Sequence, residues 1–244
     1  MAADAATVLS GRPRPAPGKR RALIEIAVAY GLILLVVWTP RPAQRYLWWV
    51  AAGAVVFITS ISFDGVNTSL DTMGLRRRNF FRSLWIVAVA LVLALAAVLI
   101  AYRLHTLRLL GGPLWLIENY WAYAIWAAAQ QFLLQCFFLA RLLRLISSPR
   151  LAAFAAAFIF ACAHIPSPIL APITLVWGVA ACLLFLRYRN LYPLAIAHAI
   201  LGVTVAVTIP GTVDHNMRVG RGYLTYSPHR HYQRAHWRAQ SPQP

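Results

Sequence analysis

The chain has 244 residues, is 60% hydrophobic and only 12% charged, and has a mean hydropathy of +0.62. A soluble domain of this length could not bury so much apolar surface, so the composition indicates an integral protein of a lipid bilayer. The formal charge of +17 comes from 23 Lys and Arg against 6 Asp and Glu. Because the basic residues flank apolar spans, we assign them to anionic lipid head groups and exclude nucleic acid as a partner.

The apolar residues divide the chain into three regions. Residues 1–21 form a basic N-terminal segment, residues 22–213 hold the apolar spans, and residues 214–244 form a polar, basic, His-rich tail. The first apolar stretch has no small-residue cleavage site behind it. We therefore expect a retained first span rather than a removed signal peptide.

Seven segments of the middle region are predicted to span the membrane. The stretch 151–186 carries no charge, is too long for one helix and is interrupted by Pro166, Pro168 and Pro172, so it predicts two short helices joined by a tight turn. The predicted spans are 22–39, 46–62, 83–102, 114–140, the two halves of 151–186, and 190–213. The expected fold class is all-α, a polytopic membrane helix bundle of about seven transmembrane spans.

The basic residues predict the orientation of these spans. With the N-terminus in the cytoplasm, the inner segments hold 14 Lys and Arg, including Arg76–Arg78, and the outer loops hold four. Positive loops are retained on the cytoplasmic side, which favours this orientation. The other five lie in the tail. With an odd number of spans the tail is outside the cell, and five basic residues there do not agree with the positive-inside rule. The expected location is a bacterial-type cytoplasmic membrane, with an organelle membrane as the alternative.

Polar side chains inside these apolar spans are the candidates for function. Ionisable groups at membrane depth often mark a substrate path or a catalytic site. Gln131 and Gln135 are four residues apart and share a helix face, as do Phe160 and His164. If their helices pack together, these side chains form a polar pocket enclosed by protein. The candidates are Gln130, Gln131, Gln135, His164 and His198.

The same side chains could instead serve only to hold helices together. Interhelical hydrogen bonds in membranes contribute about 0.6 kcal/mol each, and the neighbouring alanines permit close helix approach. A lone glutamine favours this packing interpretation. The two histidines together favour a site.

The remaining chemistry-bearing residues are interpreted as structural. Glu25 and Glu118 lie near span ends and are expected at the membrane interface, and the cysteines at 136, 162 and 182 as small core residues. The tail histidines are expected to be solvated, with metal binding as the alternative. These are His215, His229, His231 and His236.

No cofactor is expected from the sequence. A metal at His164 and His198 is not favoured, because the pair supplies two ligands where a catalytic zinc normally has three. A haem held by the same two histidines is a further alternative, which a Soret band in the purified protein would reveal.

The order and spacing of the polar positions resemble the CPBP family, the CAAX-processing and bacteriocin-processing membrane proteases. That family carries Glu-Glu-x-x-x-Arg, then Phe-x-x-x-His, then His-x-x-x-Asn or Asp. The matching positions here begin at Gln130, at Phe160 and at His198. The segments Cys136–Arg144 and Met73–Arg76 also resemble the family, and the resemblance covers roughly residues 64–209.

This resemblance implies an intramembrane endopeptidase that acts on a membrane-associated peptide or protein. It implies a site of His164, His198, Gln130 and Gln131, supported by Gln135, Phe160 and Gly202. In the family, the first-motif glutamate is taken to activate a water, but a glutamine amide has essentially no basicity. Two hypotheses follow: an endopeptidase of reduced or altered activity in which a histidine is the base, or a catalytically silent relative that binds a peptide or partner protein.

Overall fold

The computed structural model describes residues 18–40, 73–108 and 112–227, with isolated positions at 43, 46, 47, 50, 53 and 71. All regular elements within these ranges are helical, as the sequence predicts. The predicted second span, 46–62, lies almost entirely outside the described residues. So do the tail histidines at 229, 231 and 236.

Ten α-helices and one π-helix make up the described part of the chain. The helix Pro113–Phe132 continues without a break into a π-helix, Leu133–Leu139, and then into the helix Ala140–Leu145. The α-helices are α1 Lys19–Trp38, α2 Phe80–Ser83, α3 Trp85–Arg103, α4 Pro113–Phe132, α5 Ala140–Leu145, α6 Pro149–Cys162, α7 Leu170–Tyr188, α8 Tyr192–Thr208, α9 Gly211–Asp214 and α10 Gly220–Leu224.

Four helical segments are long and apolar enough to cross a bilayer. They are Lys19–Trp38, Phe80–Arg103, Leu114–Leu145 and Leu170–Tyr188. The apolar helices α6 and α8 are shorter, at 14 and 17 residues. The Pro-rich turn predicted inside 151–186 is present between α6 and α7. The protein is thus a membrane helix bundle, while the count of seven spans remains a prediction.

Small residues set the closest helix contact, between α6 and α7. Ala152, Ala153 and Ala156 are fully buried on α6. A Cβ at Gly178 of α7 would lie only 3.0 Å from the Cβ of Ala157, so the two backbones are nearly in contact. Such close approach is how small residues let membrane helices pack without large side chains. On the other side of the core, α8 packs against α3 and α4, which places His198 beside the glutamines.

A buried ion pair joins α1 to α5. The Arg141 Nε donates to the Glu25 Oε2 at 2.8 Å, and the guanidinium lies 3.5 Å over the Phe137 ring. Arg21 pairs with the other carboxylate oxygen of Glu25 at 2.9 Å. The interfacial position expected for Glu25 differs from this structure, in which the residue is only 8% exposed. The reason is that its partner lies 116 residues away, which local sequence does not reveal.

The first part of the predicted tail folds back onto the bundle. The backbone N–H of Gly220 donates to the carbonyl of Ile165 at 2.9 Å, and Gly220 packs directly against Val37 of α1. The His215 ring stacks on Tyr223 at 3.9 Å and on Tyr226 at 4.7 Å between centroids. Burial raises the pKa of the neighbouring Asp214 carboxyl. His215 is therefore packed rather than solvated, because two tyrosines provide a stacking surface; the domain boundary at 214 remains a prediction.

Replacing Glu25 with Gln should lower the free energy of unfolding by about 3–5 kcal/mol, because Arg141 would be left as a buried, uncompensated charge. Denaturant unfolding of the purified protein in detergent micelles measures the loss. Arg21→Gln is the matched control: Arg21 is 47% exposed, and exposed ion pairs contribute only about 0.2–1 kcal/mol. Equal losses in the two variants would contradict a special role for the Glu25–Arg141 pair.

Candidate functional site

Three helical segments bring Gln130, His164 and His198 to one cavity. Gln130 lies near the end of α4, His164 in the turn just after α6, and His198 in the first half of α8. The cavity has a volume of about 1420 Å³ and is lined mainly by apolar side chains from α3, α4, α7 and α8. The structure therefore brings together residues that are up to 68 positions apart in the sequence.

A chain of amide hydrogen bonds connects the glutamines to one of the histidines. The Gln135 Nε2 donates to the Gln131 Oε1 at 3.3 Å. The Gln131 Nε2 in turn donates to the His198 Nδ1 at 3.1 Å. Gln131 and Gln135 are essentially inaccessible, and His198 is 6% exposed. Since the Gln131 amide is held at both ends, it fixes the position of the imidazole on the neighbouring helix.

Gln135 belongs to the π-helix that interrupts the continuous helix. A π-helix carries one extra residue in its turn and occurs frequently at functional sites. Six of its seven residues are buried, including Gln135. Among the described residues, the Gln135 Oε1 is buried without a hydrogen-bond partner. The sequence pattern predicts the i, i+4 pairing of the glutamines but does not predict this irregular turn.

The hydrogen bonds of the two histidines fix complementary tautomers. The His164 Nδ1–H donates to the Phe160 carbonyl at 2.8 Å, so neutral His164 keeps a lone pair on Nε2. The His198 Nδ1 accepts from Gln131, so neutral His198 carries its proton on Nε2. One imidazole can accept a proton and the other can donate a hydrogen bond.

Aromatic rings hold both imidazoles in place. The Phe160 ring contacts the edge of His164 at 4.8 Å and of His198 at 6.0 Å between centroids. Trp177 of α7 lies 6.0 Å from His198 on another side, and its buried Nε1 has no hydrogen-bond partner within the described chain. Phe160 thus contacts both imidazoles, while its supporting role in a site remains a prediction. Trp177 was not predicted, because it has no polar neighbour in the sequence to distinguish it.

Gly202 lies one turn beyond His198 and is covered by Tyr123. A Cβ at Gly202 would collide with the Tyr123 hydroxyl, so only glycine allows this approach. The aromatic run from Trp115 to Trp126 predicts an interfacial belt, but Tyr123 lines the cavity. The spacing of seven residues between Tyr123 and Gln130 places both on one helix face, which was the available signal.

The described cavity lining contains no carboxylate, and Arg108 is its charged residue. Within residues 18–40, 73–108 and 112–227, no group of three or more His, Cys, Asp or Glu side chains could hold a metal ion. A metal at His164 and His198 would rely on those two imidazoles alone, which fits a catalytic zinc poorly. The expectation that no cofactor is used remains a prediction.

One comparison with known proteins gives a match. Residues 113–204 match the family model described as Type II CAAX prenyl endopeptidase Rce1-like. This confirms the resemblance to the CPBP family. The match contains all three motif positions and runs from α4 into α8, while the wider range 64–209 remains a prediction. No match to a curated protein or to a solved structure was found.

Replacing Gln131 with Leu should lower the free energy of unfolding by about 1–3 kcal/mol, because it leaves a buried His198 nitrogen and a buried Gln135 amide without a partner. Thermal unfolding in detergent, followed by circular dichroism, measures this. The matched control is Asn119→Leu on the same helix, since Asn119 is exposed and, among the described residues, bonds the Trp115 carbonyl of its own helix. A control loss as large as that of Gln131→Leu would contradict the network.

Proposed function

We propose that this protein is a CAAX protease-like intramembrane endopeptidase in which His164 is the general base and His198 donates to the peptide carbonyl. The family match supports a membrane endopeptidase at the level of the family. The complementary tautomers of the two histidines support the division of roles. In the proposed site, the amides of Gln130, Gln131 and Gln135 stand where the family has the charged residues of its first motif.

The base is the Nε2 of His164. Because the Phe160 carbonyl occupies Nδ1–H, the remaining lone pair is available to take a proton from water. The water oxygen attacks the peptide carbonyl carbon as the proton moves to His164. The imidazolium then returns that proton to the leaving amine nitrogen as the C–N bond breaks, which leaves the histidine neutral again.

The electrophilic partner is the Nε2–H of His198. The developing oxyanion accepts this hydrogen bond, and the Gln131 amide holds the donor in position from the opposite side of the ring. A glutamine in this place stabilises the neutral Nε2–H tautomer without adding charge. The amide network therefore acts as an orienting device rather than as a base.

The proposed substrate is a membrane-associated peptide or protein segment. The apolar lining favours apolar side chains, and one arginine with a few polar groups interrupts it. We place the protein in a bacterial-type cytoplasmic membrane with its N-terminus inside, supported by the basic residues around Arg76–Arg78.

A silent peptide-binding relative is the second candidate. It is favoured by the absence of a carboxylate from the described cavity lining, since the usual water-activating group is not there. The cavity and its donors would then bind a peptide without cutting it. The two candidates differ in whether peptide fragments form.

His164→Ala should reduce cleavage of a prenylated CAAX-type peptide by about 10²-fold or more, because a general base contributes that much to the rate. His198→Ala should reduce kcat by a similar factor through loss of the oxyanion donor. Mass spectrometry of peptide incubated with protein in lipid nanodiscs measures both. The control is His105→Ala, an exposed histidine outside the cavity, which should keep wild-type activity. Peptide binding without fragments in the wild type would establish the silent candidate instead.

The charged first motif can be restored by the combined change Gln130→Glu, Gln131→Glu and Gln135→Arg. If the fold has only exchanged an ion pair for amides, this variant should fold and cleave the same peptide faster than the wild type. Gln130→Glu alone is the contrast, because it adds a carboxylate without the Arg and should lower stability. A folded triple variant with no gain in cleavage would contradict a site that is otherwise complete.

A further inference from the structure

Tyr123 has a place in the cavity that the proposed mechanism does not use. It lies on α4, seven residues before Gln130, and both side chains line the same cavity. Seven residues are close to two full helical turns, so the two side chains project from one face of α4. Tyr123 therefore lies on the same face of α4 as Gln130, about two turns before it.

Glycine at position 202 brings the Tyr123 hydroxyl onto α8. The hydroxyl lies where the Cβ of any other residue at 202 would be. Gly202 follows His198 by four residues, which is about 6 Å along the helix and on the same face. The phenol thus lies beside His198, one turn further along α8.

The phenol oxygen carries one proton that it can donate. Within the described chain, the Tyr123 hydroxyl makes no hydrogen bond, whereas Gln131, His164 and His198 all have partners. Its ring is held between α4 and α8, two helices that pack directly against each other. A fixed donor at a cavity wall, without an internal partner, is available to an acceptor on a ligand.

The rise of α8 from His198 to Gly202 is close to the repeat of an extended peptide. Successive residues of a strand rise by about 3.3 Å, and carbonyls on the same edge recur every second residue, about 6.6 Å apart. The separation from His198 to Gly202 along α8 is about 6 Å. Two donors placed at successive turns of α8 can bind two carbonyls on one edge of the same peptide.

We propose that the Tyr123 hydroxyl donates a hydrogen bond to a backbone carbonyl of an extended peptide, two residues from the carbonyl bound by His198. Tyr123 thereby sets which peptide bond lies at the histidines. This inference rests on the proposed peptide-binding function, but it does not require cleavage. A hydrogen bond to a backbone carbonyl fixes the position of the peptide without depending on its side chains, so this contact suits substrates of varied sequence.

Isotope-edited infrared spectroscopy tests the proposal. The probe is a prenylated CAAX-type peptide carrying one ¹³C-labelled carbonyl, placed in turn at each residue, bound to the wild type in detergent. Two labels, two residues apart, should show lowered carbonyl frequencies. In Tyr123→Phe the carbonyl frequency of one of these two labels should rise back toward its unbound value. The peptide should also bind about 2- to 10-fold more weakly, as expected for the loss of one hydrogen bond. His198→Ala should release the other label.

Two further variants separate this donor from a structural role. Tyr102→Phe removes the hydroxyl of an exposed tyrosine on α3 and should leave both labels unchanged. The combined change Tyr123→Ala and Gly202→Asn puts an amide donor in the vacated space and should restore the lowered frequency. Gly202→Asn alone collides with the phenol and should weaken binding.

The outcomes distinguish the two proposals. If the wild type binds the peptide and Tyr123→Phe leaves every label unchanged, the role of Tyr123 is wrong while peptide binding stands. If every labelled carbonyl keeps, in the presence of the wild type, the frequency it has in the unbound peptide in detergent, the proposed function fails, and the inference fails with it.

Discussion

Polar groups in a hydrocarbon environment must find their partners within the protein, and this requirement governs the arrangement of the bundle. The hydrogen-bonded chain from Gln135 through Gln131 to His198 joins the helix of the glutamines to α8. The ion pair of Glu25 and Arg141 joins α1 to the same long helix near its C-terminal end. The continuous helix 113–145 therefore makes polar contacts with two different neighbours, and it is the element around which the site is assembled.

The same requirement explains how amides can replace charges in the first motif. A buried carboxylate without its cationic partner is strongly destabilising, whereas a buried amide carries no charge that needs a counter-ion. Gln131 uses its oxygen toward Gln135 and its NH₂ group toward His198, so both ends of the amide are occupied. The exchange keeps the histidine oriented and changes what the site can do with a proton. The first motif can therefore keep His198 in position even when its side chains can no longer accept a proton.

Much of this arrangement could be predicted from the sequence, because hydropathy and proline positions report directly on helices in a membrane. The turn between α6 and α7 and the pairing of Gln131 with Gln135 follow from local spacing. The Glu25–Arg141 pair could not be predicted, since its partners are 116 residues apart. Trp177 has no polar neighbour in the sequence to distinguish it, and the seven-residue spacing from Gln130 was the available signal for Tyr123. Gly202 looked like the loss of a polar side chain, and only the fold shows that a phenol from another helix fills the space.

The π-helix has a consequence for the phase of the long helix. Each residue of an α-helix turns the side-chain direction by about 100°, so one extra residue rotates everything beyond it by that angle. Gln131 lies before the irregular turn and points to α8, whereas Arg141 lies after it and points to α1. In a regular α-helix the ten steps from Gln131 to Arg141 would turn the side-chain direction by about 1000°, which leaves the two side chains about 80° apart around the helix axis. The extra residue changes this angle by about 100°, so one continuous helix directs Gln131 toward α8 at the cavity and Arg141 toward α1.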